Sequence, residues 1–173
     1  NSGLVSPFAP GAYNVGSTNE IFTIGQTASE ALEDLAEDGS PAGYANAFNT
    51  PEGASAPAPI FPGESYSFTF TAESGNLSFA TMLVQSNDWF IGADNIDLFP
   101  NGNALSQDIT SMLKLYDAGT EVDEYAGAGN DQAPRQAGPD TGADEGGMVE
   151  VETSPSSNLP AIADYIKVTV TKN

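Results

Sequence analysis

The chain has 173 residues, of which 39% are hydrophobic, and this composition fits one globular domain with its own core. It carries 24 acidic residues against 4 basic ones, for a formal net charge of −20. This charge argues against nucleic acid and anionic membranes as partners, because such binding needs Lys and Arg to neutralise phosphates. The absence of Cys and His excludes the usual zinc sites and the Ser-His-Asp and Cys-His nucleophiles.

The sequence shows no pattern of a membrane-spanning helix or of a signal peptide. No apolar run approaches the roughly 20 residues that a spanning helix needs. The first residues, NSGLVSPFAPG, have neither a basic region nor the apolar run of a signal peptide. We therefore expect no membrane insertion, and for an exported protein we expect a signal peptide that has been removed.

The N-terminal part predicts one clear helix after an extended segment over residues 1–19. In TASEALEDLAEDG, Thr27 and Glu30 have the spacing of a capping box, and Gly39 is a stop signal. Its apolar face comprises Ala28, Ala31, Leu32, Leu35 and Ala36. Its other face carries Glu33, Asp34, Glu37 and Asp38, which a solvated surface explains better than a metal site does. A shorter helix around PAGYANAF is expected next.

The remainder predicts strands. ESYSFTFTAE, residues 64–73, alternates strictly between apolar and hydroxyl side chains, which is typical of a half-buried antiparallel strand. LSFATMLVQ, residues 77–85, is apolar on both faces toward its end and predicts a central strand. Further strands are expected at 112–117, 147–153 and 163–173. Residues 117–152 hold ten acidic residues and one basic residue. This composition predicts a long, partly ordered loop, which either carries function or needs a ligand to order it.

Two segments place carboxylates after predicted strands. NDWFIGADNIDLF contains Asp88, Asp94 and Asp97, and LYDAGTEVDE contains Asp117, Glu121, Asp123 and Glu124. If the two strands are neighbours, these carboxylates converge, and calcium prefers such a set of oxygen ligands in flexible, Gly-containing turns. The spacing alone leaves a second interpretation open, in which the acids only solvate a very acidic surface. Trp89 is better explained as a core anchor than as a ligand-stacking residue.

The same residues resemble a known family. The stretches SFATMLVQSNDWFIGADNIDL and LKLYDAGTEVDEYAGAGNDQAPRQAGPDTG, with SPFAPGAYN and IFTIGQTASEALEDLAEDG upstream, are similar to the spondin domain of F-spondin and mindin and to its bacterial stand-alone branch. The resemblance covers most of the chain, so residues 1–173 are expected to form a single spondin-like domain. The bacterial branch usually has a strand before the SPF segment. Here either that strand is missing or the final IKVTVTKN fills part of its position.

The resemblance implies a mainly β fold, an antiparallel β-sandwich similar to calcium-and-phospholipid-binding modules, with one or two short helices inserted near the N-terminal part. It implies a calcium site with Asp88, Asp94, Asp117 and Glu121 as ligands, although Glu121 stands where animal members more often have Asp. Animal members also carry cysteines, which this chain lacks, and this weakens any transfer of their partners. The expected protein is secreted or displayed on the cell surface.

The function expected from these observations is a non-catalytic recognition or adhesion module that binds calcium and an extracellular ligand, either a glycan or a protein. Two alternatives stay open. Paired carboxylates can hydrolyse glycosides without His or Cys, and two carboxylates about 5 to 9 Å apart in an apolar cleft would indicate this chemistry. A purely structural surface or matrix protein would need the acidity only for solubility.

Overall fold

A computed structural model of the protein describes residues 4–153 and 159–173, and these residues are mainly β, as the sequence predicts. The strands are β1 (Phe8–Gly16), β2 (Ala47–Phe48), β3 (Asn76–Leu83), β4 (Trp89–Asp97), β5 (Gln107–Asp108), β6 (Lys114–Asp117), β7 (Glu150–Val151) and β8 (Thr169–Val170). Six of them form an antiparallel sheet in the order β2-β1-β3-β4-β6-β7, and β5 pairs with β8 in a second, two-stranded sheet. Helix α1 spans Glu30–Asp38, and three one-turn 3-10 helices span Pro100–Gly102, Thr110–Met112 and Ile162–Asp164.

Strand β3 lies at the centre of the large sheet. It is buried from Leu77 to Leu83 and pairs with β1 on one side and β4 on the other, which confirms the prediction of a central strand. The prediction of an extended N-terminal segment is confirmed by β1, while residues 1–3 lie outside the described range. The segments 112–117, 147–153 and 163–173 contain β6, β7 and β8, although β7 and β8 have only two residues each.

Helix α1 covers one face of the sheet. Leu32, Leu35 and Ala36 are buried with Ala80 of β3 and Phe90 of β4 in one apolar cluster. This packing explains the predicted apolar stripe, which lies on the buried side of the helix. The second expected helix, around PAGYANAF, is wrong, because that segment makes turns and ends in β2.

The ends of α1 correct one prediction and confirm another. The N-cap is Ser29, not Thr27, and its hydroxyl accepts a hydrogen bond from the Leu32 N–H at 3.3 Å. Gly39 ends the helix in the left-handed conformation with φ 67°, as predicted. The interpretation of a solvated acidic face is wrong for one residue, because Glu37 is only 2% exposed.

A second layer covers the opposite face of the sheet, and we call it the aromatic layer (residues 66–72 and 165–170). Phe68 stacks on Tyr13 and Phe48, with ring centroids 4.3 and 5.0 Å away. The prediction of a strand at residues 64–73 is wrong for the backbone conformation. Among the described residues, the main chain of 67–72 forms no hydrogen bond with another main-chain group. The alternation of apolar and hydroxyl residues therefore reflects one buried face without a strand partner.

Candidate metal site

The two acidic motifs meet at one end of the sheet. Strands β4 and β6 are neighbours, and their register places Trp89 opposite Asp117. The Ala118 N–H donates to the Asp88 carbonyl oxygen at 3.2 Å, which extends this pairing beyond the strand ends. The predicted convergence of the two motifs is therefore correct for Asp88 and Asp117.

Asp88 is fully buried, and its two carboxylate oxygens have different surroundings. Oδ2 accepts three hydrogen bonds, from the N–H and hydroxyl of Thr120 at 2.8 and 3.1 Å and from the N–H of Glu121 at 3.1 Å. Oδ1 is buried and has no hydrogen-bond partner among the described residues. An ionised buried oxygen without a partner is costly, so this atom could accept a positively charged ligand.

Asp117 and Glu145 complete a group of three carboxylates around Asp88. One oxygen of each lies within 4.8 Å of the other two. Asp117 Oδ1 accepts from the Gly119 N–H at 2.7 Å, and this turn directs the chain past Asp88. Gly119 has φ 69°, and a Cβ there would lie 2.7 Å from the Met148 nitrogen, so only glycine fits.

Glu145 reaches the group from the far side of the long loop of residues 117–152, which we call the acidic loop. Its N–H donates to the Thr120 carbonyl at 2.8 Å, and the Val122 N–H donates to the Ala143 carbonyl at 2.8 Å. Residues 119–122 and 143–147 therefore pair as a ribbon, which continues the pairing of β6 with β7. The ribbon holds the Glu145 carboxylate, itself exposed, over the buried pair.

Burial and mutual repulsion raise the pKa values of the carboxyl groups at this end of the sheet. Burial raises the pKa of Asp88, and burial together with the neighbouring Asp88 charge raises the pKa of Asp117. Burial and the Asp117 charge raise the pKa of Asp123 to about 6. Among the described residues, no ion pair joins a basic side chain to these carboxylates. Arg135 binds Gln85 and Gly129, and Lys167 pairs with Asp108.

Glu121 lies next to the group but turns its carboxylate away from it. Oε1 accepts from the Gly142 N–H at 2.7 Å, and Oε2 accepts from Asn87 Nδ2 at 3.2 Å. Its own N–H binds Asp88 Oδ2. In this conformation Glu121 holds the acidic loop against the Asp88 segment and does not face the three converging carboxylates.

Asp94 is not brought to the site. It is an exposed residue of β4, six positions beyond Asp88, which corresponds to roughly 20 Å along a strand. Its Oδ1 accepts from the side-chain amides of Asn19 and Asn95 at 3.0 and 2.9 Å. The sequence predicts a flexible, Gly-containing turn before Asp94, and this is wrong. Gly92 lies inside β4, where a Cβ would lie 2.6 Å from the Phe79 carbonyl oxygen.

The acidic loop is held by its own hydrogen bonds. The Glu124 carboxylate accepts from the N–H groups of Asn130 and Asp131, each at 3.0 Å. Arg135 Nη1 donates to Gln85 Oε1 at 3.1 Å, which ties the loop to the end of β3. The loop therefore has a defined shape among the described residues.

Two acidic residues at this end escaped the sequence interpretation. Glu145 follows no predicted strand and lies outside both acidic motifs. The only sequence feature that could have indicated its role is the Gly-Gly pair directly after it. Glu37 looked like part of a solvated face, but its helix face is covered by the acidic loop, because Gln136 Nε2 donates to Asp38 Oδ1 at 2.5 Å. Burial raises the pKa of Glu37 to about 8.

Comparison with known families assigns the chain. The family model described as Spondin_N matches residues 14–137, which is more than half of the 173 residues. The chain belongs to the spondin N-terminal domain family. Spondin domains are generally non-enzymatic and usually extracellular, and membership indicates a recognition or adhesion module. No curated protein matches the chain.

Only part of the candidate site of this spondin domain lies inside the matched region. Asp88 and Asp117 lie inside it, whereas Glu145 lies beyond residue 137. The third carboxylate of the group is therefore supplied by a part of the chain that the family model does not cover. Within the described part of the chain, no helix is both long and apolar enough to cross a membrane.

The oxygen-only ligand set of this spondin domain suits a hard cation. Calcium takes 6 to 8 oxygens from carboxylates, carbonyls and water, whereas the softer transition metals prefer His and Cys, which the chain lacks. The three carboxylates also do not line the large cavity of about 1610 Å³ between the sheet and the aromatic layer. They converge on one point rather than facing each other across a cleft.

Proposed function

We propose that this spondin domain is an extracellular recognition or adhesion module whose acidic end binds calcium and which carries out no catalysis. The observation that supports this proposal best is the Oδ1 atom of Asp88, which is buried and without a hydrogen-bond partner among the described residues. A calcium ion bound by Asp88, Asp117 and Glu145 would provide the missing partner.

The energetics support the same conclusion. Two carboxylates about 4 Å apart repel each other by about 4 kcal/mol at an effective dielectric constant near 20. Asp88 and Asp117 are both buried, with one oxygen of each within 4.8 Å of the other, so ionising both carboxyl groups costs a repulsion of this order. A divalent cation between them would offset this repulsion, because it attracts both carboxylates.

The spacing of the carboxylates favours a binding role over hydrolysis. Glycosidases need one carboxyl group on each side of a sugar in a cleft. Here the oxygens lie within 4.8 Å of one another, and none of the three residues lines the large cavity. Calcium would fix the surface around Glu145 and present it to an extracellular ligand, a glycan or a protein.

Thermal melting with and without calcium tests the proposal. We expect calcium at about 100 times its Kd to stabilise the wild type by about 2.7 kcal/mol, which corresponds to a Tm increase of roughly 5–10 °C. Asp88→Asn should lose this increase. Asp94→Asn, which removes the same charge from β4, the strand that directly follows Asp88, should keep it. An equal calcium response in both variants, or none in the wild type, would contradict the proposal.

A further inference from the structure

A large cavity separates the sheet from the aromatic layer. Its volume is about 1610 Å³, whereas pockets for small molecules usually measure about 300–1,000 Å³. Its lining includes Leu77 and Phe79 of β3 and, from the aromatic layer, Phe68, Phe70 and Val168. Protein interiors are close-packed and contain few voids larger than a water molecule. A space of this size between two layers of one domain therefore has room for a bound chain segment.

One rim of the cavity is an extended segment with a free main-chain edge. In residues 67–72 the side chains alternate between exposed and half-buried, as in a strand. Just before them, the Ser65 carbonyl accepts from the Glu52 N–H at 2.8 Å, but the main chain of 67–72 forms no hydrogen bond with another main-chain group among the described residues. Because main-chain groups alternate between the two edges of a strand, those of Phe68 and Phe70 point away from Glu52.

The other rim is β8 with the residues just before it. The Val168 carbonyl accepts from the Ile109 N–H at 2.9 Å, and the Val168 N–H donates to Thr110 Oγ1 at 2.9 Å. This edge also pairs with β5. By the same alternation, the main-chain groups of Lys167 and Thr169 point to the opposite edge, where the described residues provide no main-chain partner.

The two free edges border the same space, because both segments line the cavity along their length. A row of N–H and C=O groups that is shielded from water needs hydrogen-bond partners, and a strand that adds to a sheet edge supplies them. A purely apolar ligand would leave these groups unpaired. Val5 and Phe61, which are 65% and 58% exposed, also line the cavity, and apolar side chains of such a strand would cover them.

The charge around the cavity indicates which strand fits. Two of the four basic residues, Lys167 and Lys172, line it together with two acidic residues, Glu64 and Asp164, so its charged side chains sum to zero in a chain of net charge −20. The exposed positions of 67–72 carry only hydroxyl groups. An uncharged strand complements this lining, whereas a second copy of the chain would bring a further −20 and is disfavoured by repulsion.

We propose that the cavity binds an extended strand from a partner protein, with apolar side chains at alternate positions and uncharged polar side chains between them. The main chain of this strand pairs with the free edges of 67–72 and of β8, and its apolar side chains fill the space over Phe79. The site lies in the aromatic layer, and none of the three carboxylates of the candidate metal site lines it. The inference therefore goes beyond the calcium proposal and does not depend on it.

Fluorescence anisotropy with a synthetic peptide tests this proposal on the intact chain. The probe is a capped, labelled peptide of seven residues that alternates serine with valine, and it should bind equally well in chelator and in calcium. One reference peptide has the same composition with its valines consecutive, and another is the probe with an N-methyl group on every valine, which removes the N–H donors of one edge. Each reference should bind at least about tenfold more weakly, because it loses several hydrogen bonds of about 1 kcal/mol each.

A pair of variants at one position tests the same pairing from the side of the domain. Thr169→Pro removes a donor from the free edge without breaking a hydrogen bond of β8 with β5, since proline is tolerated at such edge positions. It should weaken binding of the probe at least about tenfold. The matched control Thr169→Val keeps the N–H and should bind the probe as the wild type does. Thermal melting checks that both variants fold, and the N-methylated peptide tests the pairing on the wild type whether or not the proline variant folds.

Three results would overturn the proposal. The first is no binding of the probe by the wild type. The second is equal binding of the probe and its N-methylated form, which would mean that the cavity binds apolar side chains without strand pairing. The third is a dimer in sedimentation that the probe dissociates, which would mean that a second copy of the chain fills the cavity. We expect a monomer at all concentrations used.

Discussion

The two sides of the spondin domain are stabilised by opposite means. The acidic end is built from backbone and carboxylate hydrogen bonds, such as the three on Asp88 Oδ2, and it gathers charges that repel each other. The aromatic layer is built from stacked rings, and its 67–72 segment has no main-chain hydrogen bond among the described residues. The packed rings of the aromatic layer stabilise the fold, and this stability offsets the repulsion between the carboxylates at the acidic end.

The largest effect is expected from the aromatic layer. Phe68→Ala removes a ring that stacks on Tyr13 and Phe48 and should lower the free energy of unfolding by about 3 kcal/mol. Phe61→Ala, at a ring that is 58% exposed, should have a much smaller effect. Chemical denaturation measures both values. The calcium response of Phe68→Ala should match that of the wild type, and a lost response would show that the two sides are not independent.

Asp117→Asn should have the reverse profile at the acidic end. Without calcium, the variant should be at least as stable as the wild type, because it removes a buried charge that faces Asp88. With calcium at about 100 times its Kd, it should lack the stabilisation of about 2.7 kcal/mol that the wild type gains. Melting curves in chelator and in calcium give both numbers. A variant destabilised in chelator would mean that Asp117 is structural.

Gly119→Ala tests the turn that positions the site. The left-handed φ and the contact with the Met148 backbone should cost about 1–3 kcal/mol of unfolding free energy. Gly146→Ala is the matched control, since Gly146 has the same φ of 69° with no atom within 4 Å of a Cβ. It should cost about 1 kcal/mol. Equal losses would indicate that the close approach to Met148 has no energetic consequence.

The unfolding free energy of the calcium-free protein should depend on pH because of Glu37. Burial raises its folded-state pKa from 4.5 to about 8, so between these values the folded chain binds a proton that the unfolded chain releases. This contribution to stability is complete below pH 4.5 and is lost as the pH rises toward 8. Glu37→Gln should therefore raise the unfolding free energy at pH 8 by at least about 1 kcal/mol, the equivalent of one pKa unit.

The measurement is melting in chelator at pH 5 and pH 8. Asp34→Asn is the control, because Asp34 is an exposed residue of the same helix. The difference between the two pH values should shrink in Glu37→Gln and stay unchanged in Asp34→Asn. An unchanged difference in both would show that Glu37 is charged in the folded protein.

The sequence predicted those parts of the domain that depend on local patterns. The central strand, the apolar stripe of the helix and the meeting of Asp88 with Asp117 follow from hydrophobic periodicity and from two strand-end motifs. The prediction of a strand at 64–73 is wrong because an alternating pattern shows which side of a segment is buried. It does not show whether the backbone has a hydrogen-bond partner. The single-domain prediction for residues 1–173 stays a prediction.

The rest of the site required tertiary information. Asp88 and Asp94 look alike in the sequence, yet one is buried with an unpartnered oxygen and the other is bound by two surface amides. Glu145 joins the site only through the ribbon of residues 119–122 and 143–147. No local pattern encodes this pairing, because 23 positions separate Val122 from Glu145 in the chain.

The most direct test of the calcium site is the anomalous scattering of a crystal grown with calcium. We predict a peak about 2.3–2.6 Å from Asp88 Oδ1, the usual distance between calcium and an oxygen ligand. Asp117 and Glu145 should contribute oxygens to the same ion. A calcium-bound crystal in which Asp88 Oδ1 still has no ligand, or in which the ion binds beside Asp94 instead, would contradict this account.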